Sequence, residues 1–320
     1  QYLYKKKYNH TEMKILITGG SGFIGSNLSR RLIRNHEVIV VDNFLTSNKR
    51  NISDIIDHNN FTLIEEDICN NQINDIQCDF IYNLACPASP IWYKKYPNET
   101  IKTSIYGLYN VIEIAKKNNC KLFHASTSEV YGDPQISEQD ENYYGNVNSF
   151  GERSCYDEAK RCAESILYSN KDVINFYLGR IFNTYGPFMA VNDGRVISNF
   201  INQAIRNEPI TIYGNGLQTR SICYIDDLIN LLEALPSSGI SYHKPFNIGN
   251  NIELSILEIA KKIIKLSKSE SKIEFLNIGK DDPLQRKPLL KKVNKLFGWS
   301  PKTSIDEGIL NTITHFRELL

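Results

Sequence analysis

Tyr156 and Lys160 stand four positions apart in the run YDEAK, a spacing that puts two side chains on one face of a helix. A phenol beside an ammonium can serve as a base near neutrality. Bringing a tyrosine from about 10 to about 7 takes roughly 4 kcal/mol. A lysine about 4 Å away at an effective dielectric of about 20 supplies energy of that order. Such a base takes the proton from a hydroxyl as its carbon is oxidised. The same pair also occurs idly on solvated helix faces, so its meaning depends on its surroundings. Upstream, Ser126-Thr127-Ser128-Glu129 follows the apolar run Lys121 to Ala125 and so lies at the C-terminal end of a predicted strand, where open α/β sheets bind their ligands. Thr127 can hydrogen-bond a substrate hydroxyl there. Glu129 reads either as an acid or base or as a surface carboxylate before a turn.

A second group of residues points to what accepts the electrons. Gly19-Gly20-Ser21-Gly22-Phe23-Ile24-Gly25 follows the apolar segment Lys14 to Thr18 and opens a helical pattern with Ile24, Leu28 and Leu32. A strand, a glycine turn and a helix in that order make a phosphate cradle. The glycines allow a pyrophosphate to approach the unpaired N–H groups and positive dipole of the helix N-terminus. Asp42 ends the next strand, Glu37 to Asp42, where a carboxylate accepts from the adenosine ribose hydroxyls and repels a 2'-phosphate. That favours NAD over NADP, although Lys49 and Arg50 nearby pull the other way. The alternative reading is a glycine helix cap followed by an unrelated aspartate.

The elements that must position these groups read as a doubly wound parallel α/β sheet of Rossmann type. Further apolar runs at Phe61 to Ile64, Phe80 to Leu84, Lys121 to Ser126 and Val173 to Arg180 alternate with helical stretches, notably Glu99 to Asn118 and Arg153 to Ser169. Parallel strands need such crossovers. After about Asn183 the pattern loosens into turn-rich segments and ends in an amphipathic helix near Ser255 to Leu266 and a basic stretch. The expected division is a NAD-binding domain over 13–183, rejoined by 222–250, and a smaller C-terminal substrate-binding lobe from 184–221 and 251–320. The polar opening, residues 1–12, reads as a tag, a disordered leader or the cut end of something longer, with Met13 a candidate start.

Bulk composition narrows the partners. Lys+Arg at 37 against Asp+Glu at 36 gives no long-range pull toward nucleic acid or anionic membrane. No apolar stretch approaches the ~20 residues of a spanning helix. Seven cysteines without a C-x-x-C pair point to a reducing compartment rather than a disulfide framework, and the cytoplasm is the default. A Golgi lumen is the alternative if a longer precursor carries an anchor. The six scattered histidines read as surface or satisfied packing residues, and no metal site is expected.

The stretches GGSGFIGSNL, VDNF, NLACPASP, STSEVYGDP, GNVNSFGERSCYDEAKR, RIFNTYGP, NDGRVISNF, QTRSICYIDDL and DDPLQRKP resemble the extended short-chain dehydrogenase/reductases. Within them the chain is similar to the UDP-glucuronate decarboxylases, also called UDP-xylose synthases. The resemblance implies oxidation at the sugar C4 by NAD, loss of the carboxylate from the 4-keto intermediate, and return of the hydride. By similarity Tyr156, Lys160, Thr127, Glu129 and Arg286 are catalytic, with Arg286 facing the sugar carboxylate. Gly19, Gly22, Phe23, Ile24, Gly25, Asp42, Asn43, Asp67, Ile68 and Leu84, with Tyr156 and Lys160, would hold NAD. Asn183, Arg195, Val196, Tyr213, Arg220 and Arg286 would hold the UDP-sugar. A homodimer pairing through helices that include the Tyr156 helix is implied too. The chain departs from the family at Phe188, usually arginine, at Ser104, often asparagine, at Leu289, usually aspartate, and at Ile91-Trp92. Rival readings are release of UDP-4-ketopentose, UDP-apiose formation, a 4,6-dehydratase, for which Ser128 lacks the expected acid, and a non-catalytic NAD-binding protein.

Overall fold

Alternating apolar residues along each strand feed two separate cores. The computed structural model describes residues 12–277 and 285–320. The chain runs β1 (Lys14–Thr18), α1 (Phe23–Leu32), β2 (Glu37–Asp42), β3 (Phe61–Glu65) and β4 (Phe80–Asn83). Then come α2 (Pro90–Lys95), α3 (Pro97–Lys102), a π-helical turn over Thr103–Gly107, α4 (Leu108–Asn118) and β5 (Lys121–Thr127). A 3-10 turn over Ser128–Tyr131 leads toward α5 (Ser154–Ser169) and β6 (Phe176–Ile181). These six strands pair in parallel, and β11 (Pro245–Ile248) joins β6 much later, giving the order β11-β6-β5-β4-β1-β2-β3. Loops at the C-terminal ends of such a sheet converge where the strand order reverses, which makes the cleft.

On one face Leu16, Val41, Ile81 and Leu122 pack against Val111, Ile112 and Ala115 of α4 and Ala163 and Leu167 of α5. On the other, Ile15, Ile17, Val38, Val40, Tyr82 and Phe123 meet Leu28 and Leu32 of α1. The central strands are buried on both faces, and α5 presents a buried stripe at positions 156, 159, 160, 163, 166 and 167; a one-residue slip of a strand would send each core side chain to the opposite face.

The rest of the chain builds on the second face. β7 (Thr184–Tyr185), α6 (Val196–Ile205), β8 (Ile210–Tyr213), β9 (Thr219–Ser221) and β10 (Cys223–Tyr224) precede α7 (Ile225–Ala234). After β11 come β12 (Glu253–Ser255), α8 (Ile256–Ser267), β13 (Ile273–Leu276), β14 (Gln285–Arg286), α9 (Lys291–Phe297) and α10 (Ile305–Leu319). This region holds more helix than the loosened pattern predicts. α6, α7, α9 and α10 are all present, their apolar faces buried in the core shared with α1 and α8. The opening segment read as a leader falls, up to residue 11, outside the described residues, as do residues 281–284 of DDPLQRKP. Among the described residues no helix is long and apolar enough to cross a membrane.

Candidate active site

At the mouth of the cradle Gly19 adopts a positive φ of 70°, and its N–H donates to Val41 O at 2.8 Å. α1 begins after Gly22 with no side-chain cap, so its first-turn N–H groups remain available to an anion. A Cβ on Gly25 would stand 2.2 Å from Gly19 O, so that position must be glycine for the turn to close. Asp42 accepts from Ser21 N–H at 2.9 Å, Phe44 N–H at 2.9 Å and Ser47 Oγ at 2.7 Å. Burial raises its pKa, and these bonds oppose the rise. Three of about four acceptor positions of a carboxylate are thus used by its own loop, leaving one for a ribose hydroxyl. Asn43 donates to Asp67 at 2.9 Å. Lys49 is paired with Glu65 at 2.6 Å, which ties down one of the two cations that weakened the preference for NAD. A glycine turn, a capless helix and a ribose acceptor together fit a dinucleotide.

Across the cleft, Tyr156 sits in the first turn of α5, its ring stacked on Tyr93 with centroids 5.2 Å apart. Lys160 follows one turn later on the same buried face of α5. Its Nζ donates to Ala125 O at 2.8 Å and lies 5.9 Å from the Tyr156 ring centroid. Burial and the neighbouring Cys86 push the Tyr156 phenol well above its ordinary value, while the Thr127 hydroxyl and Arg195 oppose this.

Thr127 ends β5, and its Oγ accepts from Glu129 N–H at 3.2 Å, capping the 3-10 turn that presents Glu129. Glu129 is not a loose surface carboxylate. Its Oε2 accepts from Arg286 at 2.8 Å and from Arg153, and its side chain is only 17% exposed. Burial opposes ionisation, but Arg286, Arg153, Arg195 and Arg220 outweigh it and hold the carboxyl below its ordinary value. Arg286 arrives on β14, in parallel register with Arg220 on β9. It donates to Ser128 O at 3.3 Å, and its Nε is buried without an acceptor among the described residues. Arg195, before α6, pairs with Asp193 at 3.3 Å and donates to Ala88 O at 3.1 Å.

One cleft of about 960 Å³ is lined by all the residues assigned above to chemistry, cofactor and substrate: Gly19, Gly22, Phe23, Ile24, Gly25, Asp42, Asn43, Asp67, Ile68 and Leu84 at one end, Thr127, Glu129, Tyr156, Lys160 and Arg286 in the middle, and Asn183, Arg195, Val196, Tyr213 and Arg220 at the other. Sequence reasoning missed Arg153. Its spacing of three before Tyr156 and four before Asp157 places it on their helix face, a signal that was available. One reading changes. His124 is neither a surface nor a satisfied histidine: it is buried on β5, with Nδ1 3.0 Å from Asn83 Nδ2 and Nε2 unpartnered. Phe188, where the family usually has arginine, has the Arg30 guanidinium 3.7 Å from its ring centroid. Ser104 sits in the π-helical turn with its Oγ 3.4 Å from Cys86 Sγ, and Leu289 bonds through its backbone to Gln139 O at 3.0 Å.

Sheet, cradle and the Tyr156–Lys160 helix together define a dinucleotide-dependent protein of the short-chain dehydrogenase type. The chain belongs to the NAD dependent epimerase/dehydratase family, which residues 15–249 match. It is 47% identical over 310 residues to UDP-glucuronic acid decarboxylase 1 of Xenopus tropicalis, covering 96% of this chain and 73% of that protein. It is 45% identical over 311 residues to UDP-glucuronic acid decarboxylase 6 of Arabidopsis thaliana, covering 96% and 90%. Among solved structures, the UDP-glucuronic acid 4-epimerase of Bacillus cereus in complex with UDP-glucuronic acid and NAD superposes with a TM-score of 0.85 at 28% identity, over 96% of this chain and 100% of that one.

Proposed function

We propose that the chain decarboxylates UDP-glucuronate to UDP-xylose through a 4-keto sugar. The observation that carries this reading is Arg286: a buried guanidinium lining the cleft, whose Nε is unused and whose ionic partner is Glu129 among the described residues. Such a fork suits a substrate carboxylate. The identity to UDP-glucuronic acid decarboxylases supports it. A 4,6-dehydratase needs an acid where Ser128 stands, which disfavours that alternative.

The cradle and Lys160 would hold NAD, and Asn183, Arg195, Val196, Tyr213 and Arg220 the uridine diphosphate. When bound, NAD supplies the hydride acceptor and a positive charge that adds to Lys160 and Arg195 in drawing the proton from Tyr156. Tyr156 then takes the proton of the C4 hydroxyl. A ketone at C4 lies β to the carboxylate, so the electron pair left by departing carbon dioxide delocalises onto the ketone oxygen. The hydroxyls of Tyr156 and Thr127 stand ready to donate to that oxygen. As the substrate carboxylate occupies Arg286 and the diphosphate engages Arg195 and Arg220, Glu129 loses cations that lower its pKa. It thereby moves toward a value at which it can deliver a proton.

Purified protein given UDP-glucuronate is expected to release carbon dioxide and yield a UDP-pentose by mass spectrometry, and Tyr156→Phe to abolish both. Absence of carbon dioxide from the wild type overturns the reading, and release that survives Tyr156→Phe removes Tyr156 as the base. We also infer a division into a NAD-binding part, 13–183 with 222–250, and a substrate-binding part, 184–221 with 251–320. Support comes from the return of β11 to the main sheet and the packing of α6 on α8. We infer a homodimer paired through the α4 and α5 face, where Tyr106 and Tyr109 are exposed. The free thiols suit a reducing compartment such as the cytoplasm.

A further inference from the structure

Glu129 is held from two sides, and the two holders differ in what substrate does to them. Arg286 is the group to which the sugar carboxylate is assigned, an assignment on which this inference rests. Once that carboxylate arrives, Arg286 must divide itself between two anions. Arg195 and Arg220 act on Glu129 only at a distance and are assigned to the diphosphate. Arg153 remains. It precedes the first turn of α5, bonds Glu129 Oε2 through Nη2, and has its Nε 3.7 Å from Asp157 Oδ2. The Asp157 side chain is 9% exposed, and its Oδ1 is buried with no hydrogen-bond partner. A buried carboxylate with an unsatisfied oxygen is costly to keep. Its spacing of four from Arg153 sets the direction of that guanidinium.

We propose that Arg153, oriented by Asp157, is a positioning residue that keeps Glu129 fixed at the head of α5 while Arg286 is given over to the substrate carboxylate. The tether matters most in the filled site, where a Glu129 released by Arg286 would swing away from the reacting carbons. Because Arg153 acts through Glu129 and not on substrate, its loss falls on kcat rather than on KM.

The test is steady-state decarboxylation of UDP-glucuronate, after carbon dioxide release by the wild type has been established, so that failure of the underlying activity is seen separately. Arg153→Gln is expected to lower kcat about 100-fold while KM changes less than about 3-fold. Arg153→Lys keeps the charge but cannot fork between two carboxylates, and is expected to lose about 10-fold in kcat. Asp157→Asn, leaving Arg153 in place, should lose about 3- to 10-fold. NAD titration of each variant checks that the cradle is intact. A kcat within about 3-fold of wild type for Arg153→Gln overturns the proposal, as does a KM that rises in step with the fall in kcat, which would mean direct contact with substrate. Should Arg153→Gln fail to fold, Arg153→Lys decides: an unchanged kcat there overturns it equally.

Discussion

At the scale of single residues, Asp157 is the side chain whose retention most needs a reason. Burial, and the nearby Glu129, raise its pKa from 3.8 to about 7 despite the opposing pull of Arg153 and Arg286. The folded chain therefore holds this proton more tightly than the unfolded chain does. The sign follows: folding carries no penalty below the unfolded value, and the penalty grows as pH rises through about 4 to 7 and is complete above that, at most about 4 kcal/mol. Asp157→Asn should thus raise Tm at about pH 8 by a few degrees and leave it unchanged near about pH 4, as thermal unfolding at the two pH values will reveal. A gain at both or at neither would contradict the assignment. The same substitution is expected to slow turnover, so stability and catalysis pull in opposite directions at this position. Glu129 titrates the other way, its arginines favouring the charged form.

Among the elements, those that carry the cradle and the Tyr156 helix were legible because their apolar periods are strong and uninterrupted. β1, β2 and the buried stripe of α5 follow directly from short continuous apolar runs and from 3–4 spacing. α6 and α7 were obscured by the turn residues around them, Tyr185-Gly186-Pro187 and Tyr213-Gly214-Asn215-Gly216, which dominate a local reading although the apolar faces are present. The π-helical turn at Thr103–Gly107 could not be read at all. It accompanies a tertiary approach: Ile68 Cδ1 would lie 2.4 Å from a Cβ on Gly107. The Lys160 geometry was equally illegible, since its acceptor, Ala125 O, is set by strand placement rather than by helix spacing. The cradle itself gives a sharp test. Gly25→Ala would force a methyl against the Gly19 and Gly20 backbone, and NAD affinity measured by fluorescence titration should fall at least about 10-fold. Retained affinity would mean that the turn relaxes without opening the cradle.

For the molecule as a whole, packing on the two faces of the sheet leaves aromatic residues of the α4 side exposed: Tyr106 is 61% and Tyr109 48% exposed. If a second copy covers them, light scattering will give twice the chain mass, and Tyr106→Glu will shift it toward one chain at micromolar concentration. A wild type that is monomeric under those conditions removes the dimer. The seventh strand has a consequence for biogenesis. Among the described residues β11 pairs only with β6, while Asn247 within it accepts from Tyr131 Oη and donates to Gln139 O, and its N–H donates to Glu141. The last strand of the seven-stranded sheet to leave the ribosome is thus also the clamp on the segment following Glu129. A nascent chain stopped before Pro245 holds a finished glycine turn and, three strands away at β6, an open β-edge, which is the surface that templates aggregation. Cradle and catalytic carboxylate therefore mature at different moments of synthesis.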